Sequence, residues 1–468
     1  MGLSASARRR KPTKRTATHG AAERPGLAAR LAGQRLLSAI VDSRTPMDAL
    51  TDDSHGHPHY LALDARDRSL VRAMLMAALR HRGDLEALID RFTDRPLPGG
   101  AASLRAIIHL ALAQILFLDV PDHSAVDLAV EAARTDPRNR RFAGLVNALC
   151  RRAVRDREKI LDAIARSPSR APAWFAERLT EIYGADRALA IEACHRRPAP
   201  IDLTLADESP ENVALWAERL GAIALPTGSL RLTSHTAITE LPGYADGVWW
   251  VQDAAAAIPA RLFGDVAGQR VLDLCAAPGG KTAQLAARGA TVTALDQSAN
   301  RLKRLAANLD RLGLADRCET VAASLFDHGA DVPFDAVLLD APCSSTGTVR
   351  RHPDVPWTKT PDDIAKLAAL QARMLERAAD FVAPGGTLVF SNCSLDPSEG
   401  EDVARAFSRE HANFEPLPVT DDDLPGLSSA ITGKGFVRTT PADLPLAGDE
   451  ARLGGIDGFF AARWRRRV

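Results

Sequence analysis

The sequence predicts a multidomain protein: an all-α helical bundle, then a small α/β connecting region, then a doubly wound, Rossmann-like α/β domain. Three observations carry that expectation. Up to about residue 165, apolar residues recur at three-to-four spacing, the period of an amphipathic helix. From about residue 246, short apolar runs alternate with helical stretches, as in a mainly parallel sheet. The length of 468 residues exceeds one ordinary core and suits two or three domains.

Residues 1–23 carry Arg8, Arg9, Arg10, Lys11, Lys14 and Arg15 among Ser, Thr, Ala and Pro, with no apolar period. A disordered basic arm is expected there, either a solvated tail or an RNA contact. Residues 24–165 are expected to form the bundle. The segments 67–80, 104–117 and 125–133 have helical spacing, and breaks fall at 96–100, at Pro121 and at Asp136-Pro137. His109 and His123 are isolated, which favours packing or solvation over catalysis. Residues 166–245 scatter Pro168, Pro172, Pro198, Pro200, Pro210 and Pro226 through short segments and are expected to form the connecting region.

Within 246–468, strands are expected at 270–274, 290–296, 334–340 and 387–391. Helices are expected at 281–288, 298–312 and 361–382, the last leading to its strand through Pro384-Gly385-Gly386. Sites in such sheets lie at the carboxyl ends of the strands.

Composition excludes some functions. Hydrophobic residues make up 46% and charged residues 25%, with net charge +0, so any nucleic-acid binding must come from local patches. No apolar run approaches the ~18 residues that span a bilayer. The basic start is not followed by an apolar run and cleavage site, so a cytoplasmic protein with no membrane partner is expected. The six cysteines include no CxxC pair and no Cys/His cluster of zinc spacing, so no metal is expected.

The turn after the first strand of this domain reads Leu274-Cys275-Ala276-Ala277-Pro278-Gly279-Gly280-Lys281-Thr282. Small residues let the backbone approach a ligand closely at a helix N-terminus. A P-loop needs glycine five residues before Gly280, where Cys275 stands, and a dinucleotide fingerprint needs three spaced glycines. S-adenosylmethionine has no phosphate to cradle and fits better. Cys275, Ala276, Ala277, Pro278, Gly279, Gly280 and Lys281 are therefore candidate cofactor-binding residues. Asp296 ends the next strand, where a carboxylate accepts hydrogen bonds from ribose hydroxyls. Asp327 could contact the adenine. Asp273 either orients the loop or approaches the cofactor's amino-acid end.

Two cysteines stand just past strand ends on the same face, in Asp340-Ala341-Pro342-Cys343-Ser344-Ser345 and Ser391-Asn392-Cys393-Ser394. Carbon 5 of cytosine is too weak a nucleophile to take a methyl group directly. A thiolate adding to carbon 6 makes carbon 5 enamine-like, so that it can attack a sulfonium methyl. The carbon 5 proton must then leave and the thiol be expelled. Asp340 is the candidate group beside ring nitrogen 3, donating if protonated or else accepting from the base. Spacing leaves open whether Cys343 or Cys393 attacks.

These runs, with Arg350-Arg351-His352-Pro353-Asp354 and Gly458-Phe459-Phe460-Ala461-Ala462, resemble the RsmB (Fmu/Sun) family of 16S ribosomal RNA cytosine-5 methyltransferases. The helical region is similar to that family's NusB-like RNA-binding domain, especially at 115–123 and Gly144-Leu145-Val146-Asn147. The resemblance implies a class I methyltransferase domain and S-adenosylmethionine as cofactor. It implies Cys393 as nucleophile and Cys343 as the residue assisting product release, whereas in DNA cytosine methyltransferases the Pro-Cys thiol attacks. It also implies that Asp296, Asp327, Asp340 and the loop from Cys275 to Lys281 line the cofactor and base sites. Three positions depart from the family pattern. Ser345 replaces a usual glycine, Asn392 a usual threonine, and Asp202-Leu203-Thr204-Leu205 an Arg-Val-Asn signature.

Arg350 and Arg351 follow the Pro-Cys loop and are expected to hold RNA phosphates. Trp357 nearby suits local packing better than stacking on a base. The expectation is a monomeric 16S ribosomal RNA methyltransferase. Its rivals are the same reaction on transfer RNA, a non-catalytic assembly factor, and a small-molecule methyltransferase that would leave the bundle without a task.

Overall fold

The computed structural model describes residues 24–168, 170–234, 237–329 and 332–468. The basic arm expected over 1–23 lies outside the described residues. The first helices are α1 (Leu27–Ser43), the short α2 (Met47–Leu50) and α3 (Pro58–Leu61), α4 (Ala65–Arg80) and α5 (Arg82–Phe92). They continue with α6 (Ala102–Phe117), α7 (Asp122–Thr135), α8 (Ala143–Arg155) and α9 (Arg157–Arg166). Helix α6 is apolar nearly all round and is buried from Ala106 to Leu116, which makes it the axis of the bundle. His109 on α6 is buried beside Glu86 at 3.3 Å, a packed residue, while His123 is exposed.

The connecting region starts with α10 (Ala173–Tyr183) and α11 (Ala185–His195). A small antiparallel sheet follows, in the order β2 (Ala222–Ala224), β3 (Leu230–Leu232), β1 (Asp202–Leu205), β4 (Trp249–Val251), with α12 (Pro210–Leu220) after β1. Strand β4 lies past the boundary expected at residue 245, and three residues are too few to show a period. Its Trp249 and Trp250 pair with Leu205 and Thr204. Asp202 is fully buried and grips the equally buried Arg231 at 2.7 and 2.8 Å. The acid that replaces the family's usual signature is thus a core ion pair.

After α13 (Ile258–Arg261) come β5 (Arg270–Leu274), α14 (Gly280–Ala287), β6 (Thr291–Asp296), α15 (Ala299–Arg311), β7 (Cys318–Ala322) and β8 (Phe334–Asp340). Then follow α16 (Val355–Thr358), α17 (Pro361–Asp380), β9 (Val382–Asn392), α18 (Glu401–Glu410), β10 (Phe414–Pro416), β11 (Val437–Thr439) and β12 (Phe459–Arg466). The sheet order is β10-β12-β9-β8-β5-β6-β7 with β11 on β12. Strands β9, β8, β5, β6 and β7 run parallel, while β12 is antiparallel to β9. The continuous ladder of β9 with β8 runs over Thr387–Ser391 as expected, and Pro384-Gly385-Gly386 leads into it as an irregular stretch after an isolated pairing of Val382 with Phe334. There the register with β8 shifts between Phe334 and Ala336, and Gly385 takes left-handed backbone within the irregularity, where Pro384 has no N–H to offer a ladder. Helix α17 begins with a reciprocal capping box between Thr360 and Asp363.

The bundle and the sheet domain interlock. Trp357 on α16 packs into the bundle core, donates to Leu79 O at 3.2 Å and lies under the Arg82 guanidinium at 4.5 Å. Arg80 donates to Arg350 O at 2.9 Å, and Met47 N donates to Asp354 Oδ2 at 3.0 Å. Among the described residues no helix is long and apolar enough to cross a membrane.

Replacing Asp202 by alanine strands a buried guanidinium. Asp202→Ala should destabilise the protein by about 3–5 kcal/mol, read as a lowered denaturation midpoint. A shift below about 1 kcal/mol would mean that Arg231 finds water or another partner.

Candidate active site

The turn from β5 to α14 is held by what surrounds it. Cys275 and Gly279 both take left-handed backbone, at φ 61° and 104°, and a Cβ on Gly279 would lie 2.6 Å from Leu305 Cγ. Asp296 at the end of β6 accepts from Ala277 N at 3.2 Å and from Ser298 N at 2.8 Å. Arg301 donates to Ala277 O from the other side. Asp273, buried within β5, accepts from the Thr282 hydroxyl at 2.6 Å, which ties the turn to the first helical residues. Its other oxygen is buried with no partner, and burial pushes its carboxyl up to about 7.

Two cavities flank this turn and share Cys275, Ala277 and Asp340 as walls. One, of about 350 Å³, runs from Asp296 and Arg301 past Leu325, Phe326 and Met374 to Cys343, Ser345 and Cys393. The other, of about 490 Å³, opens toward the small sheet and is lined by Lys281, Tyr244, Trp250, Arg304, Asn308 and Arg311. Arg304 on its rim pairs with Asp52 of the bundle at 2.6 Å. Of the expected cofactor acids, Asp296 and Asp340 line the first cavity. Asp327 does not: it is exposed in a turn, and the wall expected of it is made by Leu325 and Phe326. That wall can take the flat face of a base but offers no carboxylate to its amino group.

The pairing of β8 with β9 sets Asp340 opposite Ser391, so the two strands deliver their cysteine turns side by side. Cys343 Sγ and Cys393 Sγ lie 3.3 Å apart. The hydrogen bond to Cys393, burial, and the nearby Cys393 and Glu399 charges push the Cys343 thiol well above the ordinary range. Ser345 stands in left-handed backbone at φ 61°, which accounts for the family's usual glycine, and its Oγ lies 3.6 Å from Cys393 Sγ. Asp340 is fixed at both oxygens: Lys281 Nζ lies 2.7 Å from Oδ2, and the Ser391 hydroxyl donates to Oδ1 at 2.8 Å. The Lys281 ammonium also sits 5.0 Å from the Phe459 ring centre.

Glu399 is a residue that the sequence reading missed. Its buried carboxylate accepts from Ser344 N at 2.8 Å, from Gln371 Nε2 at 3.1 Å, and from the Ser344 and Ser394 hydroxyls at 2.5 Å each. It thereby bolts the Cys343 turn to the Cys393 turn. Asn392 joins the same network through Glu399 O at 2.7 Å. No periodicity or motif marks Glu399 in the sequence.

The expectation for Arg350 and Arg351 is corrected. Arg350 is 1% exposed and donates to Pro198 O, while Arg351 forms ion pairs with the buried Asp253 and Asp457. Both guanidiniums clamp the turn after Cys343 to the connecting region, and neither is presented to a phosphate. The acids that hold Arg351 lie about a hundred residues away in sequence, beyond the reach of local reading.

The residues present fit S-adenosylmethionine. The turn leaves a small-residue floor, the Asp296 carboxylate lines the cavity beside it, and Leu325, Phe326 and Met374 form an apolar slot. Lys281 and Asp340 stand beside the turn as an ammonium and a carboxylate paired with each other. When bound, the cofactor supplies an electrophilic methyl group on a sulfonium. Among the described residues no group of His, Cys, Asp and Glu is arranged to hold a metal.

The family described as 16S rRNA methyltransferase RsmB/F matches residues 262–463, and the NusB family matches residues 28–155. Ribosomal RNA small subunit methyltransferase B of Xylella fastidiosa is 37% identical over 449 residues, 94% of this chain and 98% of its own. The protein of the same name from Xanthomonas campestris pv. campestris is 39% identical over 406 residues, 84% and 90% of the two chains. The crystal structure of a methyltransferase homolog protein from Pyrococcus horikoshii superposes with TM-score 0.50 at 28% identity, covering 62% of this chain and 94% of its own.

Two outcomes follow from the site. Glu399→Gln puts an amide where four donors converge, so kcat should fall about 100-fold from misplaced thiols, with cofactor affinity by calorimetry unchanged. An unaltered kcat would remove Glu399 from the positioning of the cysteines. Asp273 is favoured neutral in the folded chain, so its contribution to stability is full below about pH 4 and is lost as pH rises to about 7. Thermal melts of Asp273→Asn should therefore gain on those of the wild type across that window and stop gaining above it; parallel curves would contradict the raised carboxyl.

Proposed function

The chain belongs to the ribosomal RNA small subunit methyltransferase B family, and we propose that it methylates carbon 5 of a cytosine in 16S ribosomal RNA through a covalent bond from Cys393 to carbon 6. It is an S-adenosylmethionine-dependent ribosomal RNA methyltransferase. The single observation that carries the finer reading is the pair of sulfurs 3.3 Å apart on the wall of the cavity that also holds Asp296 and Asp340. A transferase acting on an ordinary nucleophile needs neither thiol.

In this reading Cys393 attacks carbon 6, breaking the ring's aromaticity and placing electron density on carbon 5. Cys343 keeps its proton, because burial and the neighbouring sulfur oppose its ionisation. Its S–H lies within hydrogen-bond reach of Cys393 Sγ, where it can donate to that sulfur as the thiol is expelled from carbon 6. Asp340 takes the base's ring edge, held in place by Lys281 and Ser391. The larger cavity, with Trp250 and Tyr244 on its walls, is the approach for the nucleotide, since it meets the cysteine cavity at Asp340. The bundle over 24–165 holds RNA, and a single chain acting in the cytoplasm suffices. The helical domain favours ribosomal over transfer RNA.

The test is transfer of labelled methyl to protein-free 16S RNA, 30S subunits and transfer RNA, with bisulfite sequencing of the products. One 5-methylcytosine in 16S RNA is the expected result; label confined to transfer RNA overturns the substrate. Cys343→Ala should accumulate a covalent protein–RNA adduct that survives denaturing gels, and Cys393→Ala should give neither adduct nor product. The reverse pattern would exchange the two roles.

A further inference from the structure

The chain's formal charge is +0, yet residues 134–157 contain eight arginines against two aspartates, a local excess of six (8 − 2). The segment runs from the end of α7 through a 3-10 turn at Arg140–Phe142 into α8 and the first residue of α9. Both aspartates are already engaged, Asp136 by Arg138 at 2.9 Å and Asp156 by Arg155 at 3.1 Å. Arg140, Arg141 and Arg151 are exposed and have no carboxylate partner among the described residues.

Helix α8 sorts these charges by face. Val146, Leu149, Cys150 and Ala153 are buried, while Gly144, Ala148, Arg151 and Arg155 recur at four-three-four spacing on the exposed side. Arg140 and Arg141 stand just before its first turn. Between the two groups of arginines the exposed residues are Gly144 and Ala148, while Phe142, Leu145 and Asn147 are half-buried, so the exposed strip carries small side chains. From Arg141 to Arg155 the face spans about 20 Å, enough to reach phosphates several nucleotides apart on one strand. No residue of α8 lines either cavity at the thiols.

We infer that the exposed face of α8, with Arg140 and Arg141, is a phosphate-backbone anchor for the RNA substrate, separate from the reacting base. This rests on the ribosomal RNA reading above. An anchor away from the chemistry adds affinity for a long RNA and leaves the chemical step alone. The contacts are to phosphates and carry no sequence information, so base choice stays with the cavity.

The test compares the wild-type full chain with Arg140→Ala/Arg141→Ala/Arg151→Ala, whose changes are on exposed side chains, after melting curves confirm an unchanged fold. Binding to protein-free 16S RNA is measured by fluorescence anisotropy from low to high salt. Each lost phosphate contact lowers the slope of log K against log salt by about 0.7, so the triple variant should lose about 2 from the slope and bind about tenfold or more weakly. KM for 16S RNA should rise with kcat unchanged, and a short oligonucleotide carrying only the target loop should be methylated as by the wild type. The triple lysine variant should keep most of the slope. Because binding is read without turnover, a failure of the anchor is distinguishable from a failure of the methylation reading. An unchanged slope and affinity overturn the proposal. So does a variant impaired only on assembled 30S subunits, which would assign the face to an acidic ribosomal protein.

Discussion

Two sulfur atoms from turns fifty residues apart rest 3.3 Å from each other, and several elements of the sheet domain act together to hold them there. Adjacent parallel strands do the first half of this, because β8 and β9 end at the same level with Asp340 opposite Ser391. Strand ends alone do not fix the turns that follow. Glu399 does, by drawing donors from both turns onto one buried carboxylate, and burial raises that carboxyl above the ordinary range despite those hydrogen bonds. The ion pairs of Arg351 and the carbonyl contact of Arg350 then fasten the far side of the Cys343 turn to the connecting region.

The cofactor side obeys a different constraint, that of close backbone approach. Gly279 is forced by Leu305, Asp296 accepts an N–H from the turn, and Asp273 secures the helix start. Asp296 therefore has two tasks, one oxygen bracing the turn while the carboxylate as a whole faces the cavity. The same economy recurs at Asp340, whose two oxygens are spoken for by Lys281 and Ser391 while it forms a wall of both cavities.

Legibility followed locality. The small-residue turn, Asp296 and the Pro-Cys and Asn-Cys turns stand in consecutive residues, and β5 and β8 are short apolar runs, so sequence alone places them well. Strand β4 is too short to announce itself, and the antiparallel strands β10 to β12 are defined by what they pair with. Pro384-Gly385-Gly386 reads as the lead into a strand, and the continuous ladder begins just after it. Arg350 and Arg351 look like phosphate ligands because their partners, Asp253, Asp457 and a carbonyl of Pro198, are distant in sequence. Asp327 fails for the opposite reason: it stands near the right place but the turn points Leu325 and Phe326 at the cavity instead. Trp357 reads as packing and packs, sealing the bundle to the sheet domain.

The clamped turn after Cys343 has a consequence for the partner molecule. Arg351 is held by two buried carboxylates, Arg350 is enclosed, and Arg80 of the bundle closes over the Arg350 carbonyl. A wall fixed from three sides does not bend toward its ligand. In the proposed reaction the cost of bringing base and thiol together therefore falls on the nucleic acid. Unstacking a paired cytosine costs a few kcal/mol, which a nucleotide already splayed from its helix avoids. Rigidity in the protein becomes selectivity for disorder in the RNA.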